Sequence, residues 1–442
     1  MATTPETADD RRATRFRDEL HRTVVESLDI SRLDRWSPDR VRTEVHALAG
    51  KMAPRIDRTL SKPAVDGAAD EVIDEVFGLG PIESLLKDAS VTEILVNGPD
   101  QIYVERYGRL QKVDVAFADK AHLIRVIQRI ASRVGRRIDE SSPMVDARLP
   151  DGSRVNAVLP PLTPDAPTLS IRRFGTVLTA EDLIKRNSVP PSVLKFLQNC
   201  VAAKVNIVVS GGGGAGKTTL LNILSASIPA RERVVTIEDT LELQLQQPHV
   251  VRMESRPSNL EGKGTIGTRE LLRNSLRMRP DRIIVGECRG PEVIDMLQAM
   301  NTGHEGSLTT IHANNSRDAL MRLEMMLGLA GFEVPVPVMR AYIASAVQLI
   351  VHVSRLTGGE RKITGVTQLL GLGKNKRYVV KDLFTYDQRG VDEGRAYGAF
   401  KANGYKPVKL LSQLEAAGIL VPSDTFRAKE FDSNSNIFLE DK

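Results

Sequence analysis

The spacing of apolar residues changes along the chain, and each spacing predicts a different element. Near the amino end, apolar residues recur every three to four positions among charged ones, which is typical of an amphipathic helix with one buried stripe. They are Phe16, Leu20, Val24, Val25 and Leu28. Charges over the first sixty residues nearly cancel, so we expect this helix to pack on its own chain or on a neighbour rather than on a membrane.

Short apolar runs separated by turns follow in the next hundred residues. The runs at residues 93–96 and 101–104 are each followed by turn residues, which is typical of neighbouring strands. A 3.6-residue period returns near residues 123–131 and predicts one helix. This part of the chain therefore has the pattern of a small mixed α/β domain.

The second half alternates strand-like and helix-like segments. Apolar runs at residues 205–209, 233–237 and 282–285 each lead into glycine or acidic residues. Such alternation predicts a parallel sheet with helices on both faces. We therefore expect a helical amino-terminal segment with a disordered start (1–70), a smaller α/β domain (71–175), a linker (176–190), a larger α/β domain (191–390) and a carboxyl-terminal tail without an interpretable motif (391–442).

Composition limits the compartments and partners expected for the protein. Of its 442 residues, 41% are hydrophobic, which allows ordinary cores, and 4% are aromatic, which argues against a surface of rings that stack on nucleic-acid bases. The formal charge of +5 permits contact with an anionic membrane face or nucleic acid without demanding either. Cys200 and Cys288 lack disulfide or metal-ligand spacing, and no run of about 18 apolar residues occurs. We expect a soluble protein of a reducing compartment.

A glycine-rich motif follows the apolar run at residues 205–209. The pattern G-x-x-x-x-G-K-[ST], a P-loop, fits the run Gly211, Gly212, Gly213, Gly214, Ala215, Gly216, Lys217, Thr218. Backbone N–H groups in such a loop converge on phosphates, and the dipole of the following helix adds positive charge. We expect Lys217 to reach the β and γ oxygens of ATP and the Thr218 hydroxyl to ligate Mg²⁺. Thr219 completes the predicted nucleotide-binding set.

An acidic residue follows the apolar run at residues 282–285, which we expect to lie beside the P-loop strand. Gly286 stands where many P-loop proteins carry the aspartate that holds magnesium, which leaves Glu287 as the acid. A glutamate at the carboxyl end of a strand can polarise the attacking water. We expect this catalytic role for Glu287; the alternative is a solvent-exposed loop acid.

A second acidic pair, Glu238 and Asp239, comes just after the apolar run at residues 233–237. In a parallel sheet this placement brings the pair to the same edge as the P-loop. We expect Glu238 to be a second water or magnesium ligand and Asp239 to support it. The main alternative for Asp239 is a helix N-cap.

Two histidines, His304 and His312, flank a short Ser/Thr strand that follows the segment with Glu287. A lone histidine is usually structural, but this pair raises the chance of a functional role. Imidazole or hydroxyl groups here can sense whether the γ-phosphate is present and pass the change to a neighbouring strand.

Taken together, these four elements resemble the traffic ATPases of type II and type IV secretion and of type IV pili. That family carries a Walker A motif, an Asp box, a Walker B motif ending in Gly-Glu and a His box. They correspond to residues 211–218, 236–243, 282–290 and 303–314. A narrower resemblance, to the CpaF branch, lies in residues 93–98, 135–143, 145–156 and 169–174. That branch comprises the assembly ATPases of Tad/Flp pili. Gly213 and Ala215 depart from the Thr and Ser that are common in the family.

The resemblance implies a RecA-like P-loop NTPase domain preceded by a smaller mixed α/β domain. It implies an ATP hydrolase that uses ATP and Mg²⁺ to drive pilus assembly or protein secretion across the bacterial cell envelope. It further implies a homo-hexamer in the cytoplasm, at the inner face of the membrane, with inner-membrane platform proteins as partners and no nucleic acid.

In such a ring, ATP lies between the RecA-like domain of one subunit and the amino-terminal domain beside it. Arg154 and Arg172, with Arg148 and Arg173, fall in segments that supply positive charge to the phosphates in relatives. Arginine suits this task because it is always charged and donates in a bidentate manner. Without the resemblance these would be read as surface arginines.

Two other functions compete with a secretion or pilus motor. A nucleic-acid translocase of RecA type shares the core, but it should show a basic stripe with aromatic platforms, and this chain has one tryptophan and seven tyrosines. A non-catalytic scaffold gated by nucleotide is also conceivable, but it would leave Glu287 without a purpose.

Overall fold

The computed structural model describes residues 8–27, 38–173, 178–256, 264–331 and 334–431. The chain divides into two compact units, Met1–Gly175 and Thr176–Lys442, and each is described by itself. Some predicted positions lie outside the described residues. They are residues 1–7 of the predicted disordered start, Leu28 of the predicted amphipathic helix, and residues 432–442 of the predicted tail.

Three helices of the described residues begin the first unit. They are α1 (Ala8–Ser27), α2 (Pro38–Ile56) and α3 (Lys62–Val76). Phe16, Leu20 and Val24 of α1 are fully buried in a small core that α2 and α3 share. The predicted amphipathic helix that packs on its own chain is therefore confirmed.

A six-stranded sheet forms the rest of the first unit. After a 3₁₀ turn (Gly80–Ile82) and α4 (Glu83–Lys87), the strands are β1 (Val91–Val96), β2 (Ile102–Arg106), β3 (Arg109–Lys112), β4 (Met144–Arg148), β5 (Arg154–Val158) and β6 (Thr168–Arg172). Their order is β3-β2-β1-β6-β5-β4, and all neighbours are antiparallel. Helix α5 (Lys120–Arg133) buries its apolar stripe in the core under one face of the sheet.

A parallel sheet with helices on both faces organises the second unit. Its strands, in spatial order, are β12 (Leu349–Arg355), β7 (Ile207–Gly211), β11 (Leu308–His312), β10 (Arg282–Val285), β8 (Val234–Glu238) and β9 (Val250–Glu254). Two separate cores flank it, which explains why every residue of β7, β8 and β10 is buried. The covering helices are α6 (Ala180–Lys185), α7 (Pro191–Ala202), α8 (Lys217–Ser225), α9 (Thr268–Ser275), α10 (Val293–Asn301), α11 (Ser316–Gly328) and α12 (Val336–Ala346).

The neighbour of the P-loop strand differs from the prediction. Strand β10, which leads to Glu287, pairs with β8 and β11, whereas the P-loop strand β7 pairs with β11 and β12. The histidine-bearing strand β11 therefore separates the two. The order of parallel strands depends on how the crossover helices wind around the sheet, which apolar spacing does not reveal.

The predicted tail is wrong for residues 391–431, because they are part of the second unit. The parallel sheet continues through four antiparallel strands, β13 (Arg361–Leu372), β14 (Tyr378–Asp392), β15 (Arg395–Ala402) and β16 (Lys429–Phe431), with α13 (Val408–Ala416) between the last two. Leu410, Leu414 and Phe426 are buried in the core beneath the P-loop strand. The predicted linker is packed as well, since Leu183 and Val189 belong to the same core.

Candidate functional site

The P-loop connects β7 to α8 at the carboxyl edge of the parallel strands. Gly216 precedes the first helical residue with φ +100°, a left-handed conformation that glycine adopts without strain. The first N–H groups of α8 have no partner within the helix and lie at the positive end of its dipole. The strand, loop and helix that phosphate binding requires are therefore all present.

Lys217 is nearly buried, with 8% of its surface exposed. Its Nζ donates to the Gly212 carbonyl oxygen at 3.0 Å and lies 3.3 Å from His312 Nε2. Burial of an ammonium group is costly unless anionic or strongly polar partners surround it. The position therefore favours an anionic ligand inside the loop.

Glu287 lies at the same edge, two residues after β10 ends. Its Oε1 is 3.0 Å from His312 Nε2. Its Oε2 accepts from Arg289 Nε at 3.0 Å and from Arg289 Nη2 at 2.7 Å. The carboxylate is thus held by a two-point contact on one oxygen and faces His312 with the other. It is not the solvent-exposed loop acid of the alternative, because 16% of its side chain is exposed.

His312 joins the lysine to the glutamate. Burial lowers the pKa of His312, the Glu287 carboxylate opposes that shift, and Lys217 and Arg289 reinforce it. The ring is therefore neutral near pH 7, with one proton on either Nδ1 or Nε2. With the lone pair on Nε2 the ring accepts from Lys217, whereas Glu287 Oε1, 3.0 Å from the same nitrogen, has no hydrogen-bond partner among the described residues. The same nitrogen cannot serve both neighbours at once.

Glu238 ends β8 and is 3% exposed. Its Oε2 accepts from the backbone N–H groups of Glu242 at 2.6 Å and Leu243 at 2.8 Å, whereas its buried Oε1 has no hydrogen-bond partner among the described residues. Burial raises the pKa of Glu238, and the two backbone hydrogen bonds oppose the shift. A Cβ at Gly286 would meet Glu238 Cγ at 3.0 Å, so the glycine leaves room for this carboxylate at the end of β10.

Asp239 has neither of the predicted roles. Its Oδ1 accepts from the Thr268 hydroxyl at 2.8 Å, and its Oδ2 is 3.5 Å from Arg289 Nη1. No helix begins after it, since residues 241–247 have no regular structure. Asp239 therefore joins the start of α9 to the arginine that holds Glu287, and its contacts do not include Glu238.

The two histidines are not brought together. Strand β11 is parallel to β7 and pairs His312 with Gly211 and Leu308 with Ile207. His304 precedes this strand and therefore lies at the amino edge, opposite the P-loop. The prediction that both histidines report on the γ-phosphate within one chain is wrong for His304, because residues that flank a strand lie at opposite edges of the sheet.

Arg289 and His352 also touch this edge, although the sequence predicts no role for either. Arg289 lies within the Walker B segment, but it received no role there. His352, on β12, lies opposite Ser210 of the P-loop strand, and its Nδ1 is 2.9 Å from the Ser210 hydroxyl oxygen. The only local sign of His352 was a polar position inside an apolar run, which does not reveal its partner.

Three of the four predicted arginines of the first unit, Arg148, Arg154 and Arg172, occupy one row across its sheet. Register places Arg172 opposite Arg154 on one side and opposite Glu93 on the other, and Arg154 opposite Arg148. Arg172 Nε lies 3.8 Å from Glu93 Oε1. These three arginines and Glu93 point away from the core that α5 covers, as the alternating burial of the strands shows.

Arg173 does not join this row. Its guanidinium donates to the carbonyl oxygens of Val91, at 3.1 Å, and of Asp88. It therefore ties the end of β6 to the start of β1. Phe174, the last residue of the matching segment, lies outside the described residues.

Comparison with known proteins places these features in a family. The family model described as "Type II/IV secretion system protein" matches residues 75–399. A putative conjugal transfer protein of Mycobacterium tuberculosis is 38% identical over 303 residues, which cover 67% of this chain and 85% of that protein. The chain belongs to the type II/IV secretion system protein family.

Further relatives carry names from secretion systems. The type IV secretion system protein PtlH of Bordetella pertussis is 33% identical over 320 residues, which cover 66% of this chain and 94% of that protein. The crystal structure of the VirB11 ATPase from the Brucella suis type IV secretion system matches with 30% identity and a TM-score of 0.36, over 66% of this chain and 97% of that one.

Membership in this family confirms the prediction of an ATP hydrolase of the secretion class. The α/β fold with a P-loop domain is confirmed as well. The narrower assignment to the CpaF branch stays a prediction. Among the described residues, no helix is both long enough and apolar enough to cross a membrane.

Proposed function

We propose that the protein is a cytoplasmic homo-hexameric motor that couples hydrolysis of Mg²⁺-bound ATP to pilus assembly or protein secretion at the inner face of the bacterial cell membrane. One observation carries the proposal. Lys217, His312 and Glu287 come from three separate elements and meet at the P-loop edge within 3.3 Å and 3.0 Å contacts. This arrangement links the phosphate-binding group to the predicted general base.

The groups at this edge divide the work of hydrolysis. The P-loop N–H groups and Lys217 bind the phosphates, and Glu287 orients the attacking water and takes its proton. Arg289 fixes one oxygen of Glu287, so that the other stays directed toward His312. Because phosphoryl transfer depends mostly on positioning and charge stabilisation, a glutamate held in one position accelerates hydrolysis more than a mobile one.

His312 couples occupancy of the loop to Glu287. A γ-phosphate competes for Lys217, because a charged oxygen is a better acceptor than an imidazole nitrogen. Once Lys217 turns to the phosphate, the Nε2–H tautomer can donate to Glu287. The contacts of His312 Nε2 therefore change when a γ-phosphate enters the P-loop, and this change reaches Glu287.

The residues present also fit magnesium. Mg²⁺ is usually held by one or two side-chain oxygens together with waters and the phosphates themselves. The Thr218 hydroxyl at the start of α8 and the unpartnered, buried Oε1 of Glu238 are the groups that would hold it or its waters. When bound, the ion supplies positive charge at the β and γ oxygens. No group of three or more His, Cys, Asp or Glu side chains in the described part of the chain forms a metal site by itself.

Arg154 and Arg172 are proposed to complete the site of an adjacent subunit. Like charges directly opposite each other on neighbouring strands destabilise a sheet, so a row of Arg148, Arg154 and Arg172 favours an anionic ligand. The phosphates of a neighbouring nucleotide site provide that charge. This reading requires a ring, in which each first unit faces the P-loop of the next subunit.

The cargo and the partners follow from the resemblance. Residues 93–98 and 145–156 resemble the assembly ATPases of Tad/Flp pili, whereas the matched relatives include a putative conjugal transfer protein and a type IV secretion protein. We propose a platform protein of the inner membrane as the partner, and no nucleic acid.

A strain that lacks the gene tests this function. Complementation with the wild type should restore surface pili or secretion, and complementation with Glu287→Gln should not, at equal protein levels. Purified protein should pull down a membrane protein from detergent extracts of the same strain. Stimulation of ATP hydrolysis by DNA or RNA, with normal pili and secretion in the deletion strain, would instead support the nucleic-acid translocase.

A further inference from the structure

The hairpin of β12 and β13 overhangs the P-loop. Strand β12 pairs with the P-loop strand up to Val353 opposite Gly211, and it then continues for two more residues. The last of these, Arg355, pairs with Arg361 of β13. The overhang therefore carries two arginines beside the glycine-rich turn.

Arg361 lies directly against that turn. Its Nε donates to the Gly214 carbonyl oxygen at 2.8 Å. A Cβ at Gly216 would meet Arg361 Cδ at 3.4 Å, so the aliphatic part of the side chain covers Gly216. Arg355 contributes less contact, because its Nη1 would be 3.8 Å from a Cβ at Gly214.

The contact fixes the direction of one peptide group. A trans peptide is planar, so its C=O and N–H point to opposite sides. With the Gly214 carbonyl oxygen held toward Arg361, the N–H of Ala215 points away from the hairpin, and it donates to the Gly212 carbonyl oxygen within the loop at 3.4 Å. Gly214 has φ +64°, and glycine changes its backbone conformation at little cost. Without a partner for its carbonyl, this peptide can turn over and withdraw the N–H from the loop.

The hairpin is a firm support for such a contact. Its turn is closed by hydrogen bonds from Leu356 N–H to the Glu360 carbonyl at 2.7 Å and from Gly359 N–H to the Leu356 carbonyl at 3.0 Å. The start of β15 reinforces it, because Ala396 N–H donates to the Thr357 carbonyl at 3.0 Å. The antiparallel extension therefore holds Arg361 in place from outside the parallel sheet.

We propose that Arg361 is a positioning residue that holds the Gly214–Ala215 peptide in the orientation that binds the phosphates common to ATP and ADP. The reacting groups lie on another side of the loop, where a Cβ at Gly213 would be 3.9 Å from His312 Cε1. Loss of Arg361 therefore weakens nucleotide binding and leaves the chemical step largely intact. The inference rests on the assignment of the P-loop as the nucleotide site.

The test measures binding and turnover of the full-length protein with Mg²⁺. Fluorescent N-methylanthraniloyl ADP and a non-hydrolysable ATP analogue report the dissociation constants, and a coupled assay reports kcat and KM. Arg361→Gln should weaken both ligands by roughly tenfold or more, since a hydrogen bond to a charged donor is lost. KM should rise in parallel, while kcat changes by less than about threefold, because uniform binding is removed.

Arg355→Gln is the matched control. It removes the same charge from the paired position of the same overhang, but it does not touch the Gly214 carbonyl. Its effect should be clearly smaller than that of Arg361→Gln. Equal losses from the two variants would mean that the hairpin acts through charge alone, which would overturn the inference. Arg389→Gln, on the exposed end of β14, controls for changes in the extension itself.

A conservative variant covers the case of a folding defect. Arg361→Lys keeps the charge and the aliphatic cover over Gly216 but moves the donor, so it should bind nucleotide with intermediate strength. Failure of both variants to fold would show that Arg361 serves folding and contradict the inference, as would unchanged binding or a loss confined to kcat. Absence of nucleotide binding by the wild type would instead refute the P-loop site itself.

Discussion

Arginines in the two units differ in how they are placed in the fold. In the second unit, Arg282 is fully buried against Glu232 and Arg289 donates twice to Glu287. In the first unit, Arg154 and Arg172 stand side by side on the open face of an antiparallel sheet. The P-loop edge is thus organised by contacts within one chain, and we propose that the arginine row receives an anion from outside.

The difference has an energetic consequence. Removing one partner of a buried ion pair such as Arg282 and Glu232 costs about 3–5 kcal/mol, because the other charge stays buried. Removing Arg172, the exposed arginine of the row, costs little and can relieve repulsion between like charges of about 0.2–1 kcal/mol. Variants of the row therefore separate function from folding, which variants of the buried pair cannot do.

The largest effect is expected at the organised edge. Lys217→Ala should abolish ATP hydrolysis above background and weaken nucleotide binding, because the group that holds the β and γ phosphates is lost. The measurement is phosphate release by the purified protein under excess Mg²⁺-ATP. Lys195→Ala, at an exposed position on α7, is the control and should behave as wild type. Normal turnover by Lys217→Ala would refute the site.

Glu287→Gln should bind ATP but hydrolyse it at least about a hundredfold more slowly, as expected when a general base is lost. Single-turnover experiments should show ATP retained on the protein. Glu305→Gln changes an exposed acid in the loop at the opposite edge of the sheet and should have no such effect. If Glu287→Gln hydrolyses ATP at the normal rate, Glu238 becomes the candidate base.

The arginine row should give a different result, because we propose that its partner lies on another chain. Arg154→Ala and Lys217→Ala should each be inactive alone, yet their mixture should regain part of the activity at interfaces that join an intact P-loop to an intact arginine. Specific activity of the wild type should rise with protein concentration. ATPase rates and light scattering measure both. Arg109→Ala changes an exposed residue of the edge strand β3. This variant should hydrolyse ATP normally without being mixed with another variant. Absence of recovery despite confirmed subunit exchange would argue against a shared site.

Local pattern was enough to predict several parts of the two units. The strand at Arg282–Val285 and the helix at Lys120–Arg133 follow from runs and periods within one segment. The P-loop, Glu287 and Glu238 come next to strands whose carboxyl ends share one edge in any parallel sheet. Strand order, which separates Glu287 from the P-loop strand by β11, is a property of the whole chain and was missed.

Other residues could not be predicted because their role depends on distant partners. Arg361 gains its contact with Gly214 only when β12 pairs beside the P-loop strand and overhangs it. The residues at 391–431 looked like a tail, since edge strands of an antiparallel extension alternate weakly and carry no motif. His304 lies at the other edge of the sheet from His312, because residues that flank a strand are separated by the length of that strand.

The smallest expected effect is a pH dependence that distinguishes the two edge histidines. The pKa of His312 is lowered from 6.5, mainly by burial, and the neutral ring is the form that can exchange contacts between Lys217 and Glu287. The neutral form prevails above the lowered pKa, so the ATPase rate should be flat above pH 6.5 and fall only as the pH drops below that value. His312→Asn should slow hydrolysis by about tenfold, less than loss of the general base, and remove this acidic limb, the fall in rate at low pH.

Burial also lowers the pKa of His352, but this ring touches Ser210 behind the loop and neither reacting group. His352→Asn should therefore keep the acidic limb. If the fall in rate at acidic pH survives in His312→Asn and disappears in His352→Asn, the proton-sensitive group is His352 and not His312.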